Sequence, residues 1–362
     1  MTRAWTHHFK MLAALAGCAV ATGVHAQLPA DDTIPTPLLL KKVEPRKYAF
    51  SLSFGMGLNI SAQFKNLGSF PPAGGGPGPA IPGINHNYDN GYNRVDITGN
   101  NHGGYEGTWY WGYNNPSQVS GDTLTMQSTS LEAGANTQKD QNDPQPGFEL
   151  TIGRQFGGGR HWSWGGEGAF GFTAVTIKDN ATLYGNVNVT SDSYTLNGVI
   201  PPVAPYQGTF AGPSAIISDN PNRAVNIQAN AATITGSREL DANLFGFKLG
   251  PYFEVPFASR WALRLRGGLA LVEVNSEFSY SETTTIPGLP ASTVKAHGWH
   301  SGLQVGGYAG ATLSCSLSPS TRLFAGGEFE DVGNFTQNLN GRQAVLDLSR
   351  TVLVTFGLSY SF

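Results

Sequence analysis

Apolar residues alternate with small or polar ones, at a period of two, in several separate stretches of the chain. From Phe50 the even positions read Phe50, Leu52, Phe54, Met56, Leu58 and Ile60, and the odd ones Ser51, Ser53, Gly55, Gly57, Asn59 and Ser61. A strand sends successive side chains to opposite faces of its sheet, so this segment predicts a strand with one oily and one polar face. The pattern returns at Phe148, Leu150, Ile152 and Phe156 and, past Gly157-Gly158-Gly159, at Trp162, Trp164, Phe170 and Phe172. A fourth apolar face runs through Phe245, Phe247, Leu249, Phe253, Val255 and Phe257, and a fifth through Trp261, Leu263, Leu265, Leu269 and Leu271. Beyond Leu271 the apolar phase moves to Val272, Val274, Phe278 and Tyr280, which predicts a β-bulge there. Leu303, Val305, Ala309, Ala311 and Leu313 make a sixth face, and Leu323, Ala325 and Phe329 a shorter seventh. Val352, Val354, Phe356, Leu358, Tyr360 and Phe362 make the last.

The links between these segments alternate in length. Those around Gly158, Ser259 and Ser318 are a few residues each, whereas those at 65–146, 178–239, 281–297 and 335–345 are longer. Short turns at one rim and long loops at the other are the habit of a transmembrane β-barrel. The pattern therefore predicts an all-β, antiparallel up-and-down barrel of about eight strands over 48–362, with periplasmic turns and long external loops. Thr108–Tyr113 and Thr123–Thr129 read as two further strands, which either lengthen a hairpin above the membrane or enlarge the barrel to ten. A soluble sandwich or lipocalin-like barrel also alternates, with its apolar face turned inward. Against it stand the Gly-, Ser- and Thr-rich opposite faces and the aromatics near strand ends, where a membrane-interface girdle belongs.

Composition sharpens the picture. Charged residues are only 13% of the chain, glycines number 47, and no apolar run reaches the roughly 18 residues of a membrane helix. The first 26 residues read as an export signal: Arg3, His7, His8 and Lys10 precede the apolar Met11–Val24 stretch, and Val24-His25-Ala26 suits cleavage before Gln27. Leu15-Ala16-Gly17-Cys18 offers the alternative of lipid attachment at Cys18. Residues 27–47 follow as a periplasmic segment. Cleavage at Ala26 leaves Cys315 as the one cysteine, so no intrachain disulfide is expected. A net charge of −3 gives no basic footprint for nucleic acid.

The final Val352-Leu353-Val354-Thr355-Phe356-Gly357-Leu358-Ser359-Tyr360-Ser361-Phe362 resembles the carboxy-terminal signal of bacterial outer-membrane barrels. The layout is similar to small eight-stranded barrels of the OmpA and OmpX kind, with much longer loops. That resemblance implies insertion into the outer membrane by the barrel assembly machinery, with Tyr360 and Phe362 as its recognition residues and outer-membrane lipids as surroundings. It implies no activity.

Positions opposite the apolar faces include Glu149, Glu167, Lys248, Glu254, Arg264, Arg266, Glu273, Glu277, Arg322, Glu328 and Glu330. In a barrel of eight strands side chains fill the interior, so these mixed charges predict a salt-bridged plug; the sharper alternative is a narrow ion path. Arg154 falls on the apolar face, close enough to the Gly158 turn to reach the interface. His297, His300, Ser301 and Glu328 hold the residue types of a hydrolase, but adjacent His300 and Ser301 point to opposite faces and no nucleophile elbow surrounds them. In the first loop, Pro71–Pro79 is a flexible low-complexity stretch, while Tyr105, Trp109, Trp111 and Tyr113 are candidates for stacking on sugars or a partner. No metal spacing is convincing: Asp140 and Asp143 lack the EF-hand pattern. No cofactor is expected. The sequence thus points to a non-enzymatic structural or surface-interaction protein of the outer membrane, with an extracellular ligand at the loops; a small passive porin is the alternative and a lipid-modifying enzyme the third reading.

Overall fold

A computed structural model describes residues 47–70, 84–95, 106–141 and 144–362. The signal segment with Ala26 and Cys18, the 27–46 stretch, Pro71–Pro79, Tyr105 and Asp143 lie outside the described residues. Nearly all ordered structure is β, and the helix among the described residues is one 3-10 turn, Pro116–Gln118.

Eight strands pair in chain order: β1 (Tyr48–Leu58), β2 (Gln145–Gly158), β3 (Ser163–Asp179), β4 (Asn222–Pro256), β5 (Trp261–Thr285), β6 (Ser292–Ser316), β7 (Thr321–Asp331) and β8 (Thr351–Ser361). Each is antiparallel to the next, and β8 returns to β1, so the ladder joins its own start. The first and last strands are zipped at the end by backbone bonds between Tyr48 and Phe362 in both directions, with their rings stacked 5.9 Å apart. Gly250 and Gly268 allow close backbone contact between β4 and β5: a Cβ on Gly250 would sit 2.1 Å from the Gly267 carbonyl oxygen. Glycines at such points let a small barrel curve tightly.

Closure is uneven, because the strands run from 11 to 35 residues. The upper reach of β4 continues beyond the ring and pairs with Leu183–Thr195, which in turn pairs with Thr123–Leu131. Thr123–Leu131 therefore lengthens the sheet and leaves the ring at eight, since β1 pairs directly with β2. Much of the expected loop at 178–239 is strand, and the link expected at 281–297 shrinks to 286–291. Between β7 and β8 the hairpin Asn334–Leu339 and Arg342–Asp347 joins Ser61–Lys65 in a separate small sheet.

The bulge expected after Leu271 is absent. The registers of β5 with β4 and with β6 run without a shift across Leu271, Val272 and Glu273. What changes is the chemistry of the two faces. Below this level Leu265, Leu269 and Leu271 are exposed while Arg264 and Arg266 point inward; above it Val272, Val274, Phe278 and Tyr280 are buried while Glu273 and Glu277 face out. The strand keeps its phase and the apolar side moves from outside to inside. Neighbouring β4 inverts at the same height, with Phe247 and Leu249 outward and Leu240, Ala242 and Leu244 inward. So does β3, with Trp164 outward and Val175 and Ile177 inward. Ile60, expected on the outer face of β1, is fully buried: Asn59 adopts a left-handed φ of 62°, which ends the strand and turns the chain inward.

The lower barrel is thus oily outside and charged inside, and the upper part has an ordinary apolar core. That core joins Ile60, Phe64, Ile177, Val274, Phe278, Phe335 and Leu346, so segments from the β1–β2 and β7–β8 links fill the upper end.

Candidate functional site

The charged interior of the lower barrel is built by inward positions of β2 to β7. Lys248 on β4 meets Glu149 at 3.1 Å, Glu330 at 3.0 Å and Glu328. Arg266 meets Glu149 at 2.9 Å, Glu328 at 2.8 Å and Glu167 at 3.5 Å. Arg264 reaches Glu254 at 2.8 Å and Glu167 at 3.5 Å, and Arg322 closes on Glu254 at 2.6 Å. Five carboxylates and four cations therefore form one connected network. Arg264 also lies over the Tyr252 ring, 4.2 Å from its centre, and Lys248 over Tyr308 at 5.8 Å.

Charges taken out of water demand partners, and here each cation has at least one carboxylate while the central ones are shared. Two cavities of about 50 and 40 Å³ flank the network. Spaces of that size hold a few waters each. Among the candidate lumen residues, the structure brings together Glu167, Lys248, Glu254, Arg264, Arg266, Arg322 and Glu328, with Glu149 and Glu330. Glu273 is not among them. It stands on the outer face of β5, opposite Phe245 and Leu303, because the uninterrupted register keeps odd positions outside. Glu277 is likewise outside and faces His297 at 3.6 Å.

A second buried ionic group was not legible in the sequence. Arg238, with no exposed surface, donates to Asp179 at 2.8 Å, to Glu282 at 2.9 Å and to the Ala181 carbonyl at 3.0 Å. Its signal is a shared face with Leu240, Ala242 and Leu244, which the polar odd positions of the same segment hide.

At the short-turn rim, Arg154 lies on the outer face with its guanidinium over Tyr48 and Phe156, at 5.5 and 5.9 Å. Trp162 stacks on Phe253 and Phe156 packs against Trp164 in the same zone. Tyr360 is on the outer face of β8, and Phe362 stacks on it and on Tyr48. Cys315 is a free thiol near this rim. The hydrolase residue types are not assembled. Glu328 pairs opposite Gly310 and belongs to the ion network, whereas His300 pairs opposite Ser276 on the upper part of β6.

The loop aromatics are spent on packing. Trp111 and Tyr113 are buried with Tyr88, Tyr194, Leu124 and Met126 in a separate cluster, and Trp109 is half-buried. Within it Tyr88 donates to Asp192 at 2.6 Å, and Arg223 grips the same carboxylate through two bonds of 2.8 Å. Burial would raise the Asp192 carboxyl, but Arg223 and the Tyr88 hydroxyl outweigh it and hold it below the usual carboxylate range. Among the described residues no three His, Cys, Asp or Glu side chains converge to hold a metal ion.

Neither a protein-family model nor a curated protein matches the chain. Solved structures similar to it are outer-membrane β-barrels. The outer membrane protease OmpT from Escherichia coli is 8% identical with a TM-score of 0.32, over 88% of this chain and 98% of that one. Ail, the attachment invasion locus protein of Yersinia pestis, crystallised with the heparin analogue sucrose octasulfate, is 9% identical with a TM-score of 0.27, over 87% and 99%. A Pseudomonas aeruginosa FadL homologue is 9% identical with a TM-score of 0.18, over 87% and 90%.

Proposed function

We propose that the chain is a bacterial outer-membrane protein whose eight-stranded ring spans the bilayer with a closed lumen and whose upper β-structure serves surface interaction. The observation that carries this reading is the filled interior. The charged network occupies the lower barrel, and the apolar core seals the part above it. A spanning barrel with nothing to conduct is an anchor, and what it anchors here is a folded extension built on the long ends of β4, β5 and β6. The exposed Phe54, Leu249 and Val354 face lipid, and the short turns with both ends of the ring lie on the periplasmic side. In this reading the surroundings are outer-membrane lipids, the last strand with Tyr360 and Phe362 engages the assembly machinery, a ligand meets the extension, and no catalysis takes place.

Conductance of the refolded protein in a planar bilayer tests it. The expected result is silence at high salt over a wide voltage range, from protein shown to be folded by its heat-dependent gel mobility. Reproducible current steps would contradict the closed lumen and put the porin reading first.

A further inference from the structure

Away from the ion network, one buried carboxylate in the loop structure has no cation among the described residues. Asp219 is 3% exposed, follows the short strand Ile217–Ser218, and makes no ion pair among the described residues. Its Oδ2 has no hydrogen-bond partner. The nearby arginines have other partners: Arg223 grips Asp192, and Arg94 lies over the rings of Tyr92 and Tyr110 and donates to the main-chain carbonyls of His86 and Asn93. A lone buried carboxylate is costly in its charged form.

Its charged neighbour makes matters worse. Ile217–Ser218 pairs antiparallel with Gly107–Thr108, Ile217 opposite Thr108 and Ser218 opposite Gly107. Continued one residue past its last pair, that register sets Glu106, itself exposed, across from Asp219. Like charges directly across a strand pair are destabilising. Burial pushes the Asp219 carboxyl above its usual range, outweighing the hydrogen bond it accepts from its own backbone N–H, and Glu106 adds to the rise.

Asn93 reaches the same strand. Asn93 is fully buried, and its amide nitrogen donates to the Ser218 carbonyl at 3.2 Å, which brings the side chain against the residue preceding Asp219. Its Oδ1 is a second buried acceptor with no donor. Two orphan acceptors on neighbouring residues and a carboxylate of the facing strand, none of the three side chains in an ion pair among the described residues, offer an all-oxygen donor set of net negative charge. Hard divalent cations take such ligands, completed by waters and backbone carbonyls.

We propose that Asp219, Glu106 and Asn93 bind a calcium-type divalent cation that ties the first long connection of the chain to the second. The ion converts the carboxylate repulsion into a bridge between Gly107–Thr108 and Ile217–Ser218. The site lies outside the strand ring, so it stands or falls separately from the closed lumen.

The test uses the full chain refolded in detergent, stripped with EDTA and titrated with CaCl2 in a calorimeter, with hydrogen exchange followed in parallel. One site is expected, with a Kd on the order of 10⁻⁴–10⁻³ M, as for extracellular calcium modules. Exchange at Thr108 and Ser218 should slow by about tenfold or more on saturation, corresponding to the roughly 1.4 kcal/mol of a tenfold change in affinity. Asp219→Asn and Glu106→Gln should each lose that response. Without calcium, Asp219→Asn should exchange no faster than the parent, because it removes a repulsion. Absence of binding by the parent at 10-fold above that range overturns the proposal. So does undiminished binding by Asp219→Asn, or faster exchange of that variant in EDTA, which would show that the protein itself already satisfies the carboxylate.

Discussion

Replacing Lys248 with methionine is expected to destabilise the barrel by about 3–5 kcal/mol, the usual cost of stripping one partner from a buried ion pair. Lys248 is shared by Glu149, Glu328 and Glu330, and the first two keep Arg266 when it is lost. Glu330 has no other cation in the network. Adding Glu330→Gln to Lys248→Met should therefore recover part of the loss, a coupling that a double-mutant cycle measures directly. Urea unfolding in lipid vesicles, followed by the rim tryptophans Trp162, Trp164 and Trp261, supplies the free energies. A loss below about 1 kcal/mol would mean that water screens these charges, as in a hydrated pore.

Arginine at Phe54 is the second large effect. Phe54 is 71% exposed and pairs with Phe148 and Phe356 on the outer face, midway along β1. On a water-soluble protein an exposed position of this kind changes stability by about 0.5 kcal/mol or less. Near the middle of a bilayer the same substitution should cost about 2–4 kcal/mol. The same replacement at Glu273, outward but above the inversion, should cost little. Refolding yield and urea midpoints in vesicles compare the two, and equal effects at both positions would remove the lipid band.

The outer faces of the eight ring strands were legible because alternation survives wherever a strand separates two environments. The residues that meet in the lower interior could be named for the same reason: they occupy the phase opposite the aromatics. Alternation does not say which face is wet, however. At Leu271–Val272 a change of surroundings reads in sequence like a change of register, so the pattern predicts a bulge and an inward Glu273 where the structure has neither. The same ambiguity made the upper ends of β4, β5 and β6 look like loops, since their outward residues are polar like those of a loop. Trp111 and Tyr113 show a further limit. Aromatics in a long connection serve a binding surface or a small core equally well in sequence, and here the partner strands at 194–217 that bury them are distant in the chain. Asn93 and Asp219 carry no motif at all; only the pairing of Ile217–Ser218 with Gly107–Thr108 brings them near.

The central claim is that β5 passes from lipid into water at Leu271 without changing phase. Single cysteines at Leu265, Leu269, Leu271, Glu273, Asn275 and Glu277, on a Cys315→Ser background, carry a spin label to each outward position in turn. The account predicts labels reached by oxygen dissolved in lipid up to Leu271, and by a water-soluble paramagnetic reagent from Glu273 onward. Water-soluble reagent reaching Leu265 and Leu269 as readily as Glu277 would contradict it, because the apolar band would then be facing water.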